Sequence, residues 1–240
     1  MPAEPTAGTQ PRQGSRSAAT RARLVAVAER LFAERGVQGV SLSEINRASK
    51  QRNSNACQYH FGSKEGLLQA IVDKHVPGIA SRRNRLLDAL EQEQALSLEA
   101  VVRAWVEPVA AKLEDPDGGR DFIRVNAELT PTHTLAMLRP DRIALRAEGA
   151  DRLARALQAT LAHIPAPIRA QRLQLASSLL FHGLADHSRV HESLAGSEHD
   201  ARHDNTLFTH SLIDAICALL ASAPSAPTAA RLDSVAPPPQ

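Results

Sequence analysis

The sequence predicts an all-α protein, with a small basic bundle of three to four helices leading into a larger helical body. Three observations carry this reading. Ala and Leu are abundant, β-branched residues are few and only 12 of 240 residues are Gly, a balance that favours helix. Apolar residues recur at spacings of three and four, with no alternating strand pattern. Charge is also divided along the chain. Residues 1–76 carry eleven Lys and Arg against six Asp and Glu, and the rest carry seventeen against twenty. A basic end on a mildly acidic body suits an anionic partner, although charge alone equally suits a solvated face.

The length allows one large domain or two small ones, and 43% hydrophobic residues can build a core. Only 3% of residues are aromatic, too few for a platform that stacks single-stranded bases. Cys57 and Cys217 lie far apart, so no disulfide framework is implied and a reducing cytoplasm is expected. No run approaches the ~18 apolar residues of a membrane span, and the N-terminus lacks the apolar core of a secretion signal.

Taken in order, residues 1–17 are rich in Pro, Gly, Ser and Thr and are expected to be a disordered arm carrying Arg12 and Arg16. From Ala18, the residues Leu24, Val27, Ala28, Leu31 and Phe32 share a helical face, which Gly36 and Gly39 end. SLSE at 41–44 is a capping box that opens a short helix packing Leu42, Ile45 and Ala48. After a turn at 50–52, Asn53 or Ser54 can cap a third short helix that Gly62 breaks. Ser63 caps a long fourth helix with Leu67, Leu68, Ile71 and Val72 inward, and Pro77 and Gly78 are expected to kink or interrupt it. Further helices are expected near 97–114, 119–130, 132–163 (split at Pro140), 167–194 and 203–222. Residues 222–240 read as a second disordered tail.

A longer helix followed by two short ones across a tight turn is helix-turn-helix geometry, in which the second short helix enters the major groove. That helix is too short to nucleate itself, so Cys57 and Phe61 must hold it by packing. Asn53, Asn55, Gln58 and Tyr59 are then left on its other faces. Amide side chains can pair bidentately with adenine, and Arg with guanine. Lys64 sits in the first turn of helix four, where its charge opposes the helix dipole and a phosphate would suit it. A polar loop with a solvated lysine is the plainer alternative.

The segments TRARLVAVAERLFAERGVQGVSLSEI and YHFGSKEGLL resemble the DNA-binding domain of the TetR family of bacterial regulators. Ala28, Leu31, Phe32 and Gly36 follow the pattern of its first helix. Ser41 and Ile45 follow its second, and Tyr59, His60, Phe61, Lys64, Leu67 and Leu68 its third and fourth. Asn46 and Ser49 stand where the family usually has Ala and Gly. The turn is a residue or two longer than common, and Cys57-Gln58 replaces a frequent Leu-Tyr pair, which leaves open the register of the third helix on DNA. The resemblance implies phosphate contacts from Thr20 and Arg23, Ser43 at the DNA end of the second helix, and Asn53, Ser54, Asn55 and Gln58 facing the groove. Tyr59, His60 and Lys64 would hold the backbone, and Arg52 could do either job. Cys57 reads as a small buried hydrophobe rather than a redox switch.

The resemblance also implies a homodimer on near-palindromic double-stranded operator DNA, released by a small-molecule effector of unknown identity. The implied organisation is a helix-turn-helix DNA-binding domain over 18–64, a helical regulatory and dimerisation domain over 65–221, and tails at 1–17 and 222–240. One short reading helix sees few base pairs, so two-fold pairing is needed for specificity. The expected dimer stripes are Leu173, Leu180 and Leu184, with Phe208, Leu212, Ile216 and Leu219; each could equally be an internal core stripe. Pocket candidates are Trp105, Phe122, Met137, Leu138 and Phe181, with Arg124, Asn126, Glu128, His133 and His182 as polar anchors. Each could equally be core or surface.

Six of the ten histidines lie between 182 and 210. His187 and His191 are four apart, as are His199 and His203, a spacing that can bind metal. No Cys, Asp or Glu completes a recognisable site, so no metal or cofactor is expected. Asp186, His187 and Ser188 are adjacent but point in different directions on a helix, and no catalytic fingerprint occurs; an enzyme is not expected. The competing reading is a dimeric helical ligand-binding module without sequence-specific DNA binding.

Overall fold

A computed structural model describes residues 13–51, 53–138, 150–193 and 204–235. Helix α1 spans Gln13–Arg35. It begins inside the expected arm because extending an existing helix backward is easier than nucleating a new one. Residues 13–17 are therefore helical rather than disordered, and 1–12 lie outside the described residues. The buried face of α1 is Leu24, Val25, Ala28, Glu29 and Phe32, with Val27 and Leu31 half-buried. Gly36, at φ 80°, ends the helix in the left-handed region that favours glycine.

Helix α2 (Leu42–Ala48) opens on the capping box expected from SLSE. The Ser41 hydroxyl accepts from the Glu44 amide at 3.3 Å, and the Ser41 amide donates to Glu44 Oε2 at 2.9 Å. Its buried face is Ile45, Asn46 and Ser49, while Ala48 is exposed. The expected Leu42–Ile45–Ala48 face is thus rotated toward the polar side. Helix α3 (Ala56–Phe61) starts later than expected, with Asn55 rather than Asn53 or Ser54 at its N-cap. The Asn53 side chain instead accepts from the Asn55 amide at 2.9 Å, tightening the turn ahead of the helix.

Helix α4 runs unbroken from Lys64 to Gln92, through Pro77. Pro77 and Gly78 lie on its solvent side, and the buried residues Ile71, Val72, Ile79, Ala80 and Leu87 continue the packed face across them. Packing along one side outweighs the single hydrogen bond that proline removes. Helix α5 (Leu98–Ala110) passes into a 3-10 turn (Ala111–Glu114), and α6 (Gly119–Leu138) runs through the break expected near 131. Pro140, where a second break was expected, lies outside the described residues.

Helices α7 (Ala150–Thr160), α8 (Ala166–Ser193) and α9 (Asn205–Ala221) complete the body. A final helix α10, Ala226–Val235, occupies part of the expected disordered tail. Its segment APTAARLDSV is alanine-rich, carries proline only in the first turn, and packs Leu232 against the core. All regular structure among the described residues is helical. One continuous apolar cluster runs from Leu24, Phe32 and Ile45 through Leu67 and Ile71 to Ile123, Leu180 and Ile216. The basic bundle and the helical body therefore share a core, with α1 packed against α6.

Candidate nucleic-acid interface

The turn between α2 and α3 is built around one buried amide. Asn46 is 5% exposed. Its Oδ1 accepts from the Cys57 amide at 2.9 Å, and its Nδ2 donates to the Ser54 carbonyl. The side chain therefore ties α2 to both the end of the turn and the start of α3. Ser49 adds a bond from its hydroxyl to the Ile45 carbonyl at 2.7 Å. Lys50 then takes φ 52°, left-handed backbone where glycine would be relaxed. Asn46 and Ser49 are thus the side chains that fasten the turn to α2. Position supplied the missed signal: Asn46 follows Ile45 on the face that must meet α3.

Cys57 is fully buried in this seam, and burial pushes its thiol up to about 11. It is a small packed hydrophobe, as the sequence suggests. Phe61 packs partly against the core beneath the Arg21 guanidinium, which lies 5.2 Å from the ring centroid. Arg35 pairs with Glu44 at 2.9 Å. The Ser41 amide and then Arg35 hold the Glu44 carboxyl down at about 2.

The outer surface carries the expected polar groups. Arg23, Ser43, Asn53, Ser54, Asn55, Gln58 and Tyr59 are exposed; Thr20 and His60 are partly so. Among the described residues, Tyr59, at 80% exposure, is the most open of the large apolar and aromatic side chains, and it lies edge-on to His60 at 5.1 Å. Arg47 and Lys50 add exposed cations on α2 and the turn; the sequence reading missed both. Arg52 lies outside the described residues. Two expected contacts are engaged within the chain. Gln58 Nε2 donates to the Gly62 carbonyl, and Lys64 Nζ donates to the Val37 carbonyl at 3.0 Å. Lys64 offsets its position at a helix start by capping the loop after α1, a role that needs no phosphate.

Two polar links join this surface to the body. Glu128 of α6 accepts from the Val37 amide at 2.8 Å. Deeper in, Glu29 of α1 and His75 of α4, each 1% exposed, meet at 2.6 Å, and Lys74 reaches Glu29 at 2.9 Å and Asp117 at 3.0 Å. Burial alone would lower the Lys74 ammonium, but Glu29 and Asp117 reverse the sign and raise it. The His75 ring also packs on Phe122 at a tilt of 32°, with centroids 4.4 Å apart. Gly118 is required beside this cluster, because a Cβ there would collide with the Glu29 carboxylate.

Among the described residues, the expected pocket residues lie in the core, in links between helices and at the surface. Phe122 is 2% exposed beneath His75, and Asn126 is buried and turned back onto the Phe122 carbonyl at 2.9 Å. Both are core. Arg124 bridges α6 to α8, donating to Ser188 at 3.0 Å and pairing with Glu192 at 2.5 Å. Glu128 belongs to the link above, and His182 is exposed. Trp105 and Phe181 are half-buried against the core. His133, Met137 and Leu138 have side chains outside the described residues. An open groove of about 380 Å³ lies beside Glu114, Asp115, Asp121 and Glu192, and none of the expected pocket residues lines it.

The expected dimer stripes also move. Leu180, Leu184 and Ile216 are fully buried within the chain, and Leu212 is 5% exposed. Leu173, Phe208 and Leu219 pack partly against the same core. On the described parts of α8 and α9, the large apolar side chains left exposed are Leu175, Leu179, Val190 and Leu207. His187 is buried, stacks on Phe208 at 4.0 Å and bonds Asn205 at 2.9 Å, so it fastens α8 to α9. No group of three metal-ligating side chains forms among the described residues, and His199 and His203 lie outside them. No single described helix is long and apolar enough to cross a membrane.

Residues 24–71 match the family model described as bacterial regulatory proteins, tetR family. No curated protein matches the chain. Among solved structures, it is similar to a protein solved for the molecular basis of control of antibiotic production by bacterial hormones, at 21% identity and TM-score 0.42, covering 84% of this chain and 97% of that one. It is also similar to a protein from Rhodococcus sp. assigned to the TetR-family transcriptional regulators, at 17% identity and TM-score 0.39, covering 85% and 100%. A TetR-family transcriptional regulator from Pectobacterium atrosepticum is 20% identical at TM-score 0.37, covering 89% and 100%. Scores this low describe loose likeness in shape. The family match instead falls on α1 to α4, where the capping box, the turn and the exposed α3 have been described. The pattern and the geometry together mark residues 24–71 as a helix-turn-helix DNA-binding unit of the tetR type.

Proposed function

We propose that the protein is a ligand-responsive repressor that binds a near-palindromic operator as a homodimer and leaves it when a small molecule binds the helical body. The observation that carries this is the pair of polar links between the reading unit and the body. Glu128 holds the loop before α2, and Glu29 holds α4 through His75 and Lys74. In this reading a change in α4 or α6 is passed to α2 and α3, because the contacts are short and the Glu29–His75 pair is buried. Arg23, Ser43, Asn53, Ser54, Asn55, Gln58, Tyr59 and His60 supply the DNA face in this reading, with Arg47 and Lys50 as added phosphate contacts. Six residues of α3 reach few base pairs, so a second copy is required. Leu175, Leu179, Val190 and Leu207 offer it an apolar surface.

A second reading has its own support. Gln58 and Asn53 are bonded within the chain, as they would be in a dimeric helical binding module that no longer reads bases. Selection of bound sequences from random duplexes by the purified protein, at two salt concentrations, separates the two. Enrichment of a two-fold site with half-sites about one helical turn apart supports the repressor. Steeply salt-dependent binding with no enriched sequence supports the module.

A further inference from the structure

Arg83 is a buried cation of the helical body with no part in the proposed function. It lies on the buried face of α4 with Ile79, Ala80 and Leu87 and is 8% exposed. Helix α4 packs against α5, whose inward residues Val101, Val102 and Ala104 are wholly apolar. Among the described residues no carboxylate pairs with Arg83, and its Nε is buried without a hydrogen-bond partner. Asn84 Oδ1, the next residue along, is likewise buried and unpartnered. Burial lowers the guanidinium to about 10, so it stays charged at neutral pH. A buried, charged and unpaired guanidinium is costly. The buried carboxylate Glu29, by contrast, is paired.

We propose that Arg83 is the anchor of an anion site in the helical body, taking the carboxylate of an otherwise apolar small molecule held against α4. Arginine binds carboxylate through two parallel hydrogen bonds. One guanidinium neutralises one charge. A phosphate dianion would bring a second charge into an apolar interior, whereas a monocarboxylate brings none. Ile79, Ala80 and Leu87, buried on the same helix, suit a hydrocarbon body. This assignment rests on the helical body being the effector-binding part and names the chemical class of that effector.

The test is thermal unfolding of the full chain with hexanoate and benzoate, against hexanamide and benzamide, at constant ionic strength. Each acid and its amide share a shape and differ in charge. At least one acid is expected to raise Tm by about 3–5 °C when it is several-fold above its Kd, and its amide by none. Arg83→Met should abolish the rise while leaving the ligand-free Tm equal or higher, because an unpaired buried charge is removed. Arg83→Lys should retain part of the rise. Equal effects of acid and amide, no effect of either acid, a rise undiminished in Arg83→Met, or a ligand-free collapse of both variants would each overturn the assignment. Operator selection without additive tests the DNA-binding reading separately. A protein that binds its selected duplex yet ignores both acids loses the Arg83 site alone.

Discussion

Asn46 sits one residue after Ile45 on the packed side of α2, and its amide does what no alanine could. It satisfies a donor at Cys57 and an acceptor at Ser54, both in the seam with α3. Asn46→Ala is expected to leave both backbone groups unpaired and to cost about 1–3 kcal/mol. The check is chemical denaturation; an unchanged midpoint would mean that the turn holds itself. Tyr59 makes the opposite case. At 80% exposure it contributes little packing, so Tyr59→Ala should move stability by no more than ~0.5 kcal/mol. Its affinity for a selected duplex should nevertheless fall about tenfold or more, the scale of one lost contact at a buried interface. Fluorescence anisotropy reads this directly, and wild-type affinity in the variant would remove Tyr59 from the DNA face.

At the scale of elements, α2 and α3 are too short to persist alone and depend on their ends. The α2 cap is ionic as well as hydrogen-bonded, and Glu44 is held at about 2 against an ordinary 4.5. A carboxyl depressed on folding stabilises the fold above its unfolded value and loses that contribution as pH falls through the folded one. The Tm difference between the wild type and Glu44→Gln should therefore be constant above about pH 5. It should shrink as pH drops from 4.5 toward 2. Calorimetry across that range decides, and a pH-independent difference would show that the charge plays no part. Helix α4 carries the opposite lesson: a proline and a glycine in succession do not break it, because its other side is packed throughout.

On the scale of the molecule, the reading unit and the body are joined by buried charge as well as by apolar contact. Glu29 is the hub, bonded to His75 and Lys74 and enclosed at Gly118. Glu29→Gln should destabilise the protein by roughly 3 kcal/mol, because it removes one charge of a buried, mutually paired set. A denaturant midpoint within error of the wild type would remove Glu29 from any coupling role. The outer face of α8 makes a separate prediction. Leu175→Glu with Leu179→Glu should yield a monomer at concentrations where the wild type sediments as a dimer, because charge on an apolar interface opposes its burial. A wild type that sediments as a monomer would place the two-fold elsewhere or nowhere.

By itself, the sequence determined the helical class, the capping box at Ser41, the break at Gly62, the burial of Cys57 and the family pattern on α1 to α4. These depend on local periodicity, caps and turn residues, which act within a few positions of one another. It also located most of the exposed polar groups around α3. Only the tertiary structure decided which helix faces turn inward. It put Leu180, Leu184 and Ile216 in the chain's own core, left Leu175 and Leu179 exposed on α8, and gave Phe122, Asn126 and Arg124 their packing and bridging partners. An amphipathic stripe shows that a face is buried but not by what, since an internal neighbour and a second copy remove the same water. The same limit hid Glu29, His75 and Arg83. Whether a charge on an apolar face is paired or alone depends on residues tens of positions away, and that is settled only when the helices meet.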